Sequence, residues 1–291
     1  MQTIEQLKRK IQSASDLLSV VKTMKVLAAV SIRQYERARE SLVEYNRTVE
    51  TGLQVVLKKR PEGIRIAEPV PKERLGAIVF GSDQGMVGQF NEVIARHAVS
   101  EMDKLQIKRE NRMVLAVGMR VVTYLEETGQ PVEEYFSQPG STAAITPAVE
   151  DMTLKMEEWL YQQKIDHIVI FYNRELGTSY SPHTIHLLPV DPGWFQDLEQ
   201  KPWPSSAIPF FTMDWNRLFS SLIQQYLFVS LYRAFAESLA SENSGRLASM
   251  HAAERNIENL LEELNSQFQQ QRQSSITEEL LDIVAGFEAL R

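Results

Sequence analysis

Ile4-Glu5-Gln6-Leu7-Lys8-Arg9-Lys10-Ile11-Gln12-Ser13-Ala14-Ser15-Asp16-Leu17-Leu18-Ser19-Val20-Val21 opens the pattern that decides the fold. At alternating steps of three and four, apolar side chains recur: Ile4, Leu7, Ile11, Ala14, Leu18 and Val21, then Ala28, Ile32, Tyr35, Leu42, Val49, Leu53 and Val56. Only Lys25, Arg39 and Asn46 interrupt the series with strongly polar residues. A repeat averaging 3.5 residues puts one apolar seam along a helix and specifies a left-handed supercoil with a partner helix. Residues 1–60 hold no proline and a single glycine, Gly52, so nothing within them stops a helix. A helix over residues 3–58 would run roughly 85 Å, well beyond the ~11 residues usual for globular helices.

The other end of the chain repeats the theme. Residues 210–291 lack proline and contain only Gly245 and Gly286. Leu247, Met250, Ile257, Leu261, Leu264 and Phe268 keep heptad spacing, with Glu254 as the polar exception. The register then shifts and continues through Ile276, Leu280, Ile283 and Phe287. Upstream, Trp215, Leu218, Leu222, Tyr226, Val229, Tyr232 and Phe235 carry an apolar face back to about residue 212. One continuous helix would be on the order of 110 Å long. Gly245 either kinks it or lets another surface approach closely.

All 12 prolines lie between Pro61 and Pro209. Here strands and helices are expected to alternate: a buried strand at Leu75 to Phe80, a helix from Gln89 to Leu105, a strand at Met113 to Val117 and a short helix from Arg120 to Glu127. An amphipathic helix from Ile145 to Gln163 follows, then strands at Ile165 to Tyr172 and Thr184 to Val190. Such alternation implies a mainly parallel sheet covered by helices. Asp191 to Pro209, with four prolines and two tryptophans, reads as a loop. Three segments are expected: 1–60, 70–210 and 211–291. An apolar seam must be buried, and the simplest solution pairs the two end helices antiparallel within one chain. Homodimerisation through either helix is the alternative, since heptads alone do not choose a partner.

Composition narrows the chemistry. The 291 residues include no cysteine, which excludes disulfides, thiolate metal sites and a cysteine nucleophile. A net charge of −7 opposes nucleic-acid binding. No apolar run approaches the ~20 residues that span a bilayer, and the N-terminus does not read as a secretory signal, so no direct membrane insertion is expected. Gly81-Ser82-Asp83-Gln84-Gly85-Met86-Val87-Gly88-Gln89-Phe90-Asn91 follows a strand and opens a helix, where α/β folds bind phosphate. It lacks both the P-loop ending and the dinucleotide spacing. It reads as a tight turn whose glycines take positive φ and in which Ser82 or Asp83 bonds backbone amides. His183 and His186 fall on opposite faces of a strand, Asp166-His167 reads as an edge pair, and no cofactor or metal is expected. Mixed-sign stretches such as Arg33 to Glu40 and Glu254 to Glu263 read as solvated helix faces.

Several stretches resemble one family. Val21-Lys22-Thr23-Met24-Lys25-Val26-Leu27-Ala28-Ala29 is similar to the "I-T-K-A-M-K-M-V-A-A" element of the gamma subunits of F-type ATP synthases. Ser82 to Asn91 is similar to their "S-D-R-G-L-C-G-x-F-N" turn. Ala240 to Met250 resembles "A-S-E-x-x-A-R-M-x-A-M", and Arg272 to Leu280 resembles "R-Q-A-x-I-T-Q-E-L". Phe171-Tyr172-Asn173 and Leu187-Leu188-Pro189 fit later strands. His251 to Asn256, Glu278 and Gly245 depart from the family pattern and suggest a divergent branch, such as the alternate bacterial ATPases that move sodium.

The resemblance implies a fold of two parts, a long antiparallel coiled coil of the N- and C-terminal helices and a Rossmann-like α/β foot domain. It implies a non-catalytic rotor stalk that couples proton or sodium flow through a membrane ring to ATP synthesis or hydrolysis. The implied partners are the alpha and beta subunits of the hexamer, the epsilon subunit and the membrane c-ring. The implied location is peripheral, on the cytoplasmic side of a bacterial inner or a thylakoid membrane. By motif match, Met24 and Lys25 would lie near a moving loop of a beta subunit. Arg246, Arg272, Gln273 and Thr277 would contact alpha and beta, and Leu280 to Arg291 would run in an apolar sleeve. Two other readings remain: a coiled-coil scaffold that docks partners through its α/β domain, and a nucleotide-binding enzyme with helical arms.

Overall fold

The computed structural model describes residues 3–62, 64, 73–177, 179–203 and 209–288. Pro204 and residues 289–291 of the expected C-terminal tip lie outside them, and Phe287 is placed only as backbone. In order come α1 (Ile4–Lys58), β1 (Leu75–Phe80), α2 (Phe90–Lys104), β2 (Arg112–Val117), α3 (Met119–Glu127) and β3 (Glu134–Phe136). They are followed by α4 (Ile145–Tyr161), β4 (His167–Leu176), β5 (Ser179–Leu188), α5 (Pro192–Gln200) and α6 (Trp215–Glu288). The chain groups into two compact units. The smaller joins Met1–Ala29 to Arg246–Arg291, and the larger is Val30–Gly245.

In the smaller unit, α1 begins with a reciprocal cap. The Gln6 amide donates to Thr3 Oγ1 at 3.3 Å and the Thr3 amide donates to Gln6 Oε1 at 3.1 Å, which satisfies two free helix-end donors. From there Leu7, Ala14 and Val21, seven apart, are buried against Met250, Ile257 and Leu264, also seven apart. Ile11, Leu18, Leu261 and Phe268 flank them, half-buried. The heptad thus resolves into one fully covered row and one partly covered row on each helix, as two-helix packing requires.

The larger unit is built on a five-stranded sheet of order β3-β2-β1-β4-β5, parallel except for β5, which runs antiparallel to β4. Strand alternation sends β1 residues to both faces. Ile78 and Phe80 join Val149, Met152 and Trp159 of α4 and Leu231, Phe235 and Leu239 of α6. Ala77 and Val79 join Ile94, Ala98 and Met102 of α2 and Val121 and Leu125 of α3. Helices on both faces explain why β1 is buried at every position. A satellite core packs Val49, Leu53 and Leu57 of α1 on Phe195 and Leu198 of α5. The Trp215 indole donates to the Val56 carbonyl at 2.8 Å and so closes the last turn of α1.

Three features differ from the sequence reading, the first being the β4–β5 pair, which reaches Leu176 and resumes at Ser179 where the strands were expected to end at Tyr172 and begin at Thr184. Pro192–Gln200, expected as loop, is helix α5. Asp191 caps it by accepting the Gly193 amide at 3.0 Å, and Pro192 stands in the first turn, where a missing N–H costs nothing. The short strand β3 was not foreseen, since three residues carry too little periodicity to stand out. Gly245 does not interrupt α6. A Cβ there would come within 3.0 Å of the Tyr180 ring and 3.3 Å of the Val87 carbonyl, so the glycine serves close approach.

Phe235 is 1% exposed and meets Phe80 edge-on, with centroids 4.8 Å apart. Phe235→Ala should destabilise the larger unit by about 3–5 kcal/mol. Truncation of exposed Leu154 should stay within about 0.5 kcal/mol. Urea unfolding followed on sheet signals distinguishes the two.

Candidate partner-contact surfaces

Three of the six residues expected to meet partners are engaged within the chain. Lys25 donates to Glu254 Oε2 at 2.5 Å, and Lys22 lies 3.5 Å from Glu258 Oε1 and 4.0 Å from Glu254 Oε1. One step up α1 matches one step down α6, which is the antiparallel register in ionic form. Lys25 and Glu254, the two polar exceptions of the seams in this unit, are therefore each other's partners. Met24 packs half-buried beside the seam. Arg246, expected to contact alpha and beta, is 7% exposed and is engaged within the chain. Its long side chain sits where α6 is covered rather than where it is open.

Arg272, Gln273 and Thr277 are different. All three are exposed, four, five and nine residues beyond Phe268, the last α6 residue packed on the seam cluster. The Thr277 hydroxyl donates to the Gln273 carbonyl at 2.9 Å, so its polarity is turned back on its own helix. Around and beyond them stand Ile276, Leu280, Leu281, Ile283 and Val284, between 48% and 62% exposed. Clustered apolar exposure of this kind marks an interaction surface, whereas single exposed residues are ordinary. Leu17, Val20, Val26 and Leu27 of α1 and Leu260 of α6 add further exposed apolar area in the same unit.

The turn after β1 is a second candidate. Gly88 takes φ 63°, but so does non-glycine Met86 at 62°. Gly85 needs no positive φ, and its Cβ position is open. Two amides at the start of the turn are already bonded. Ser82 N donates to Asn91 Oδ1 at 2.8 Å and Asp83 N to Gln138 Oε1 at 3.2 Å. The Asp83 carboxylate accepts the Met119 amide at 2.8 Å and the Gln138 amide at 2.7 Å. Asp83 thus puts a negative charge at the N-terminus of α3, the place a phosphate would take. Gly118, at φ 95°, brings the chain so close that a Cβ would lie 2.8 Å from the Ser82 backbone. The chain's own polar groups, Asp83, Asn91 and Gln138, thus occupy the part of the crevice between the end of β1 and the start of α3. Gln138 has no sequence signal of its own, because its partners lie 55 and 57 residues away.

Asp166, His167, His97 and His183 make their contacts within the chain. The Asp166 carboxylate accepts the Glu73 and Arg74 amides at 3.0 and 3.2 Å and stands 2.7 Å from His167 Nδ1, tying the entry of β1 to that of β4. His183 stacks edge-on with Tyr172 at 5.3 Å, while Thr184, on the opposite face, meets His97 Nε2 at 2.8 Å. Burial pushes the pKa values of His97 and His183 down. Among the described residues no group of three His, Asp or Glu could hold a metal, and no helix is long and apolar enough to cross a membrane.

The Lys25 hydrogen bond holds the Glu254 carboxyl below its ordinary value of 4.5; desolvation opposes this, while Lys22 and His251 reinforce it. A lowered folded pKa contributes stability that is complete above the unfolded value and lost as pH falls through the folded one. The melting-temperature gap between the wild type and Glu254→Gln should therefore be largest above pH 4.5 and close on acidification. An unchanged gap at about pH 3 would show that this pair does not hold the seam.

The chain has close parallels among known proteins. The family model described as ATP synthase matches residues 3–290. The ATP synthase gamma chain of Nostoc punctiforme is 26% identical over 317 aligned residues, covering 100% of both chains. That of Glaesserella parasuis is 28% identical, covering 98% of this chain and 99% of its own. In fold, the chain is similar to one from the OSCP, F1 and c-ring structure of Euglena gracilis mitochondrial ATP synthase. The TM-score is 0.63 at 16% identity, with 99% of this chain and 94% of the other covered. A chain from the central stalk and c-ring of Tetrahymena thermophila gives 0.55 at 19% identity, covering 80% and 99%. With the paired end helices, the sheet between them in sequence and a match along nearly the whole length, the chain belongs to the family of ATP synthase gamma subunits.

Proposed function

We propose that this chain couples ion flow through a membrane ring, of protons or sodium, to ATP synthesis or hydrolysis in a hexamer of alpha and beta subunits. The supporting observation is the end of α6, where Ile276, Leu280, Leu281, Ile283 and Val284 stand exposed on a helix that has left its seam. Each such side chain gains about 1.5–3 kcal/mol if fully buried, so a surrounding apolar sleeve would hold this segment. A two-helix unit has no three-fold symmetry, so turning it inside three equivalent sites presents a different face to each. That is coupling between distant sites through a stiff element. In this reading the catalytic side chains belong to beta, and this chain contributes surfaces. Arg272, Gln273 and Thr277 contact alpha and beta. Met24 and Lys25 support a beta loop from within the seam, and Arg246 acts by shaping covered helix. The sheet domain, 70–210 by its sequence boundaries, carries the epsilon subunit and meets the c-ring, and so keeps the chain peripheral to the membrane.

The test is reconstitution with separately made alpha and beta subunits and a membrane ring. Arg272→Ala combined with Gln273→Ala should lower ATP-driven ion pumping relative to hydrolysis by about tenfold, equivalent to about 1.4 kcal/mol of lost coupling. Assembly and coupling both equal to the wild type would refute the contact assignment.

A further inference from the structure

Lys25 shows how this chain treats a charged seam residue, with a carboxylate 2.5 Å away on the facing helix. Arg39 and Asn46 occupy the same heptad row farther along α1, in the larger unit, and are not treated so. Among the described residues no carboxylate forms an ion pair with Arg39. Both side chains instead line a cleft of about 520 Å³ bounded by α1, β4, β5, α5 and α6. Protein interiors rarely leave voids larger than a water molecule. A leucine at either position would fill part of this one, and polar residues hold it open.

The cleft has a charged wall and an aromatic wall. Glu237 is 2% exposed and fully committed: it accepts the Tyr172 hydroxyl at 2.7 Å and Arg233 Nε at 2.9 Å, with Arg174 Nε at 3.8 Å. Both arginines address it through Nε, and no hydrogen bond among the described residues uses their terminal nitrogens. Two half-exposed guanidinium ends, fixed by one buried carboxylate, thus line the same cleft as Arg39. The Trp194 and Tyr226 rings form the aromatic wall, with centroids 4.7 Å apart and planes tilted by 33°. Glu50, held by Asn46 Nδ2 at 2.8 Å, supplies an acceptor in the same lining.

We propose that this cleft binds a nucleoside phosphate. Its phosphate meets the guanidinium groups of Arg39, Arg174 and Arg233, its planar base lies against Trp194 and Tyr226, and a sugar hydroxyl donates to Glu50. Guanidinium forks match phosphate oxygens in pairs, and aromatic faces accept any base. The volume lies within the ~300–1,000 Å³ range of small-molecule sites. The site is distinct from the turn after β1, and the proposal does not rest on the rotor assignment.

The test is calorimetric titration of the isolated full-length chain with ADP, and separately with pyrophosphate and with adenosine. One saturable ADP site is expected, with pyrophosphate competing for it and adenosine binding more weakly. Arg39→Gln, which breaks no ion pair, should weaken ADP at least tenfold, and Asn46→Leu should block it by filling the cleft. Unchanged melting of both variants would confirm that they fold. Absence of saturable ADP binding, or equal ADP affinity in both variants and the wild type, would overturn the proposal. So would loss of partner-subunit association in Arg39→Gln without nucleotide binding by the wild type, because the cleft would then receive a partner's carboxylate.

Discussion

A row of side chains seven residues apart, Leu7, Ala14 and Val21, closing on Met250, Ile257 and Leu264, is the constraint on which the smaller unit depends. In proteins most helical stability comes from packing an apolar face rather than from propensity, and this row is the face that these two stretches pack. The apolar row supplies attraction but little register, since each turn resembles the next. Register comes from charge. Lys25 and Glu254 replace apolar residues at one level of the seam, and a slip by one heptad would leave each beside an apolar row. The arrangement gives up some apolar burial and gains a unique alignment.

In the larger unit the same logic of filling positions from within applies to a different element. The loop between β1 and α2 occupies the crevice where parallel sheets often hold phosphate. Asp83 provides the anion itself, and Asn91 and Gln138 take up the neighbouring backbone groups. Asn173, wholly buried, adds a 2.9 Å bond to the Phe90 carbonyl at the start of α2. Motif residues that would suggest a ligand are thus spent on fixing strand ends and helix starts. The Tyr172–Glu237 bond does similar service on the opposite face of the sheet. Burial and the adjacent carboxylate push the tyrosine pKa far up, so the hydroxyl stays a donor.

What separates this chain from a purely structural helical pair is the uneven distribution of covered surface. Leu231, Phe235 and Leu239 of α6 are buried on the sheet, and Met250, Ile257 and Leu264 on α1. Ile276 to Val284 are apolar yet open. The proposed coupling role gives that open segment a meaning, because a shaft gripped by other subunits must offer surface to them.

The heptads, the absence of proline from both ends and the alternation of strands and helices were enough to determine the two long helices and the mainly parallel sheet, while the motif resemblances pointed to the family. These are local or periodic signals, and periodicity survives without knowledge of neighbours. The tertiary structure alone decided which residues the polar exceptions would face. Lys25 found Glu254, 229 residues away, while Arg39 and Asn46 opened onto a cleft. It also decided that Arg246 is covered while Arg272 is open, and that a proline-rich stretch holds helix α5. Each of these outcomes depends on partners distant in sequence or on a single capping bond, and neither leaves a repeat for the sequence to display.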